Sequence, residues 1–149
     1  MTDRLTRRGL LASAAAGSIA LLVPAARAEP ILDLVKDPAC GCCTAHAAYL
    51  EANGFVVTVR ESDDLAGLRA AKGVPEQLAG CHMILVEDYV VEGHVPAGAI
   101  RKLLDERPAI KGISVPGMPS GSPGMSGPKE SPLQVVEIGD GLPRVFFTE

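Results

Sequence analysis

Between Ile31 and Arg60 the apolar period of the chain changes twice, and three cysteines sit at the first change. "ILDLVK" (Ile31 to Lys36) alternates apolar and polar residues as a half-buried strand does. "DPACGCC" follows, and from Cys43 to Asn53 an alanine-rich run carries Cys43, Ala47 and Leu50 at helical spacing before stopping at Asn53-Gly54. "FVVTVR" (Phe55 to Arg60) then reads as a second strand. Strand, helix and strand at this spacing restrict the first half of the domain to a crossover unit with the cysteines at the mouth of its helix.

The rest of the chain extends that unit. "DDLAGLRAAKG" (Asp63 to Gly73) predicts a short helix with Leu65 and Leu68 inward, and "VPEQLAG" a proline-led turn. Cys81 opens a third strand, whose halves Met83 to Val86 and Tyr89 to Glu92 pair as a hairpin about Glu87-Asp88. Pro96 suits the first turn of a helix with Ile100, Leu103 and Leu104 as its apolar stripe, ending before Pro108. Of the 17 residues from Pro116 to Pro132, 13 are Pro, Gly or Ser, which predicts a long loop with a repeated Pro-Gly-Met. "LQVVEIGDGLPRVFF" reads as two short strands about Gly-Asp-Gly that add to one sheet edge. The order β-α-β-α-β-β-α predicts an α/β, thioredoxin-like fold: a central mixed sheet, helices on both faces, the Gly/Pro/Met loop and a C-terminal strand pair.

Residues 1–28 read as a cleaved leader, with a basic start, an apolar run from Leu10 to Val23 and Ala26-Arg27-Ala28 as the cleavage site. The run is shorter than the roughly 20 residues a spanning helix needs and stops at Pro24. Thr6-Arg7-Arg8-Gly9-Leu10-Leu11 matches the pattern of twin-arginine export. The predicted mature protein is a single domain, residues 29–149, in the periplasm. Since the leader holds four of the 14 basic and one of the 18 acidic residues, that domain carries a net charge of −7. An acidic surface with no Trp and no basic cluster argues against nucleic acid and anionic lipid, and for cations or small molecules.

Cys40, Cys42 and Cys43 lie where strand one turns into helix one, where unpaired N–H groups and the helix dipole favour thiolate. Thiolate is both the nucleophile and the metal ligand. Cys40 and Cys43 have the Cys-x-x-Cys spacing of dithiol oxidoreductases, and an oxidising compartment also permits a plain structural bridge. Cys42 exceeds the needs of a dithiol couple, whereas a soft metal uses it readily. Cys81, at the head of strand three, falls where such a sheet packs beside the helix mouth, so four sulfurs can converge. Thiolates select Cu(I), Zn or iron-sulfur clusters, and three cysteines in one turn suit sulfurs that bridge several ions.

The remaining soft donors rank lower. His46 lies within one helical turn of Cys42 and Cys43, as a ligand or facing solvent. His82 follows Cys81, and strand alternation puts the two on opposite faces, which assigns His82 a structural role. His94 is expected to cap or hydrogen-bond, and Met118 and Met125 to pack unless they bind Cu(I).

Together "DPACGCC", "GCHMILVEDYVVEGHVP" and "VPGMPSGSPGM" resemble the CopG-type bacterial periplasmic copper-resistance proteins across nearly the whole mature chain. The resemblance implies a thioredoxin-like fold, a cluster of cuprous ions on Cys40, Cys42, Cys43 and Cys81, and a Cu(I)/Cu(II) oxidoreductase role beside other periplasmic copper-handling proteins. The sequence departs from that family's common pattern at His46, Tyr49 and Met83. Copper binding is therefore the leading reading, ahead of a metal-free thiol-disulfide oxidoreductase, a bridged scaffold, and zinc or iron-sulfur binding.

Overall fold

The computed structural model describes residues 29–149; the expected leader, its paired arginines and its cleavage site lie outside the described residues. Strand β1 (Ile31–Lys36) has the predicted bounds, and its Leu32 and Leu34 are fully buried. At its end Asp37 makes a tight turn: its side chain accepts from Ala39 N at 2.8 Å and its carbonyl from Cys40 N at 3.0 Å, with Pro38 supplying the preset φ. Helix α1 (Gly41–Ala52) starts two residues earlier than its apolar spacing predicts, so Cys40 is the N-cap residue and Cys42 and Cys43 fall in the first turn. Its buried face is Cys43, His46, Ala47 and Leu50, the i, i+3, i+4, i+7 stripe of an amphipathic helix.

Strand β2 (Val56–Glu61) runs parallel to β1 at the sheet edge, with Val56 and Val59 exposed. Helix α2 (Leu65–Lys72) is capped by Asp64, whose carboxylate accepts from Gly67 N at 2.7 Å, and ends on the left-handed Gly73. A 3-10 turn at Glu76–Leu78 leads to β3 (His82–Val86), which pairs antiparallel with β1 and then with β4 (Tyr89–Glu92) through the predicted Glu87-Asp88 turn. Helix α3 (Ala97–Glu106) follows Pro96, and Tyr49 Oη accepts from Ala97 N at its start.

Strand β5 (Gly112–Ser114), parallel to β4, is absent from the sequence expectation, because three residues are too few to display a period. It inserts between β4 and β6 (Gln134–Ile138), and β7 (Val145–Thr148) closes that edge. The sheet order is β2-β1-β3-β4-β5-β6-β7. Side-chain alternation sorts the core into two clusters. Leu32, Leu34, Ile84, Val91 and Ile113 meet α1 and α3 on one face, and Met83, Val90 and Ile138 meet Leu68 of α2 and Leu78 on the other. No helix among the described residues is long and apolar enough to cross a membrane.

Candidate metal centre

Two chain segments, 38 residues apart, bring the four cysteines together. Cys40 Sγ lies 3.5 Å from Cys42 Sγ, Cys81 Sγ lies 3.8 Å from Cys42 Sγ and 3.5 Å from Cys43 Sγ, and all four sulfurs fall within 4.8 Å of one another. Cys40 and Cys43 are joined as a disulfide, with Cα atoms 5.5 Å apart, while Cys42 and Cys81 remain thiols. Cys43 is fully buried; the other three are partly exposed. Burial pushes the Cys81 thiol up to about 12, with the neighbouring Cys42 adding to the shift.

The position of Cys81 is fixed by its neighbours in sequence. Gly80 passes so close to Gly93 that a Cβ on Gly80 would lie 2.4 Å from Gly93 Cα, and Gly93 itself has φ +73. Arg69 Nη2 donates to Gly80 O at 2.7 Å, and Gly80 N donates to Glu92 Oε2 at 2.8 Å. Burial raises the pKa of Glu92, an effect opposed by its bonds from Gly80 and Arg69. On the other side Lys36 Nζ donates to Asp37 O and Pro38 O, bracing the turn that delivers Cys40.

Three histidines pack behind the sulfurs, and here the structure corrects two expectations. His82 does not face away from Cys81: its Nδ1 lies 3.3 Å from Cys81 Sγ, because Cys81 precedes β3 and strand alternation does not govern it. His46 neither faces solvent nor reaches a sulfur. It is fully buried, with Nδ1 2.8 Å from His82 Nε2 and Nε2 3.0 Å from Val95 O. His94 hydrogen-bonds as expected, but its partners make it part of the site: Nε2 lies 3.0 Å from Cys81 Sγ and Nδ1 2.7 Å from Pro123 O. Burial lowers the pKa of all three imidazoles, His46 to about 4 and His82 to about 2.

The Gly/Pro/Met loop closes one wall through its backbone. Pro123 O holds His94, and the next residue, Gly124 (φ +80), lies so near α1 that a Cβ would stand 2.6 Å from His46 N. Met118 is exposed and Met125 partly buried. Four sulfurs with two imidazole nitrogens on Cys81 form a soft donor set able to take a metal ion or, with Cys40 and Cys43 already bonded, to exchange disulfides.

A family profile described as a protein of unknown function, DUF411, matches residues 78–125, the stretch that carries Cys81, His82, His94 and Pro123. Among curated proteins none matches this sequence. Two solved structures, both described as copper resistance protein CopG, are similar over most of the chain. Form 1 has 41% identity and a TM-score of 0.74, covering 81% of this chain and 98% of its own. Form 2 has 40% identity and a TM-score of 0.75, covering 82% of this chain and 99% of its own. At that identity, coverage and structural similarity, the chain belongs to the CopG copper-resistance protein family.

Proposed function

We propose that this is a periplasmic copper-resistance protein that takes cuprous ions as cargo on the thiolates of Cys40, Cys42, Cys43 and Cys81. The observation that carries the reading is the approach of four sulfurs, from two distant segments, to within 4.8 Å. Thiolates are the donors Cu(I) prefers, and sulfurs packed this closely suit bridging between several ions. Zinc is the lesser candidate, since its four-cysteine sites draw on separated Cys pairs. The strand senses support a thioredoxin-like core: β1 and β2 parallel, β3 and β4 an antiparallel pair, α3 covering them. We assign residues 1–28 to a cleaved twin-arginine leader, which puts the domain where copper is handled. Changing Arg7 and Arg8 to Lys should hold the precursor in the cytoplasm.

Loading requires the Cys40–Cys43 bridge to open by exchange with a dithiol reductant, which leaves as its own disulfide and frees two further ligands. Uptake is thereby tied to reduction, and interconversion of Cu(I) and Cu(II) is the redox role we assign to the site. Fully reduced protein should take several equivalents of Cu(I) from a chromophoric cuprous chelator, and Cys42→Ser should sharply lower that number. Failure of the reduced protein to take any would refute the reading.

A second reading, a thiol-disulfide oxidoreductase, draws on the same bridge at the N-terminus of α1. It expects turnover of protein disulfides that survives Cys42→Ser and Cys81→Ser and is lost with Cys40→Ser.

A further inference from the structure

For neutral rings, the hydrogen-bond pattern around Cys81 assigns each imidazole proton to one nitrogen. Val95 O and Pro123 O can only accept, so His46 carries its proton on Nε2 and His94 carries its proton on Nδ1. Neutral His46 then presents a bare Nδ1, which His82 Nε2 must satisfy by donating. Neutral His82 is therefore bare at Nδ1, and His94 is bare at Nε2. Both lone pairs point at one atom, Cys81 Sγ, at 3.3 and 3.0 Å. A thiol has a single proton and can answer one of them. Two imidazole lone pairs and a sulfur converge at one place, the donor set that a cation of borderline softness takes.

We propose that Cys81 Sγ, His82 Nδ1 and His94 Nε2 form a sulfur-and-two-nitrogen site for one divalent cation of borderline softness, which shares Cys81 with the cuprous site and persists when Cys40 and Cys43 are bridged. The three donor atoms lie within 4.8 Å of one another. A tetrahedral ion with ordinary bond lengths sets sulfur and nitrogen about 3.5 Å apart, so the donors need to open by only a few tenths of an ångström. Each imidazole passes its other N–H to an acceptor, His94 to Pro123 O and His82 through His46 to Val95 O, the outer support that metal-bound histidines use. His46 is thus a positioning residue that aims the His82 lone pair. Binding displaces the Cys81 proton to solvent, and Cys42 Sγ, 3.8 Å away, completes four-coordination or leaves that place to water. The site goes beyond the cuprous reading, because it needs neither Cys40 nor Cys43.

The test uses mature protein with the Cys40–Cys43 bridge verified by mass spectrometry, titrated anaerobically with Co(II), which does not oxidise thiols. One equivalent should bind, with a thiolate-to-cobalt charge-transfer band and tetrahedral d–d bands. Cys81→Ser should abolish the band, His82→Gln and His94→Gln should each weaken binding about tenfold or more, and Cys42→Ser should weaken it less than either histidine variant. Because those imidazoles are buried, the wild type is also read directly: Zn(II) should shift the ¹⁵N resonances of His82 Nδ1 and His94 Nε2. Absence of uptake, unmoved imidazole resonances, or uptake that depends on Cys42 and not on the histidines would overturn the assignment. Cuprous binding is measured on fully reduced protein, so failure of either reading leaves the other standing.

Discussion

Arg69 and Glu92 meet inside the protein, with Arg69 Nε 3.2 Å from both carboxylate oxygens, and between them they hold the two backbone polar groups of Gly80. Glu92 is fully buried and closes β4, while Arg69 comes from α2 on the opposite face of the sheet from α1. The pair therefore couples the far side of the sheet to the residue before Cys81. An ion pair so placed adds little net stability compared with an apolar substitute of its size, but breaking one half is costly. Its structural consequence is position: the backbone entering β3 has nowhere else to go.

Arg69→Met should destabilise the fold by about 3 to 5 kcal/mol, since it leaves the Glu92 carboxylate buried without its partner. The double variant Arg69→Met/Glu92→Leu should recover much of that loss. Urea unfolding of the wild type, Arg69→Met, Glu92→Leu and the double variant checks it, and additive losses would show that the two residues do not act as a pair.

Gly80→Ala should damage the site more than the fold. The new Cβ meets backbone, Gly93 Cα and N at 2.4 and 2.5 Å, so the strand entry must shift. His94 follows Gly93 and Cys81 follows Gly80, so both move. Cobalt binding to the bridged protein should weaken at least about tenfold while the far-UV circular dichroism keeps its shape. Unchanged affinity would mean that the close passage of the two glycines does not aim the donors.

The cysteine cluster was legible because sulfur spacing and a strand-to-helix switch are both local signals. The histidines were legible only through register. Val86 pairs with Tyr89 and Met83 with Glu92, and counting outward from the two-residue turn sets Cys81 opposite His94. The sequence itself marks that turn at Glu87-Asp88, so the meeting of Cys81 and His94 follows from it. Alternation does not sort His82 from Cys81, because the strand begins at His82. His46 lies three residues after Cys43 on α1, and the contact of Cys43 with Cys81 carries His46 onto His82 one turn further along. Strand β5 left no trace: its pairing between β4 and β6 is a tertiary fact that three residues cannot announce.

Cys81 should alkylate slowly in the bridged, metal-free protein. Its thiol is pushed up to about 12, first by burial and then by Cys42, so very little thiolate exists at pH 8. Peptide mapping after iodoacetamide treatment should find Cys81 modified at least about a hundredfold more slowly than an unperturbed cysteine, with the rate climbing about tenfold per pH unit to pH 11. Modification at the rate of an ordinary thiol would show that the pocket does not suppress ionisation.

Acid should unfold the metal-free protein through its histidines well before most carboxylates titrate. The ordinary imidazole value is 6.5, whereas burial holds His46 near 4 and His82 near 2, and lowers His94 as well. Above pH 6.5 neither the folded nor the unfolded chain protonates these rings, so their contribution is complete. Below it the unfolded chain gains protons that the folded chain refuses, and stability falls until the folded value is reached. His46 and His82 thus each remove about 2 kcal/mol by pH 5, and His94 adds to the loss in the same direction. Glu92 has the opposite sign: its folded pKa is raised, so its share is present at low pH and is lost as pH rises through the folded value. Denaturant unfolding between pH 7.5 and 5 should therefore show a steep loss. His46→Gln, which keeps polar partners for His82 and Val95 without titrating, should reduce the loss between pH 6 and 5 by about 1 kcal/mol. A slope unchanged by that substitution would mean that His46 is already charged in the folded protein, with Nδ1 donating to His82 Nε2, against the burial that lowers its pKa.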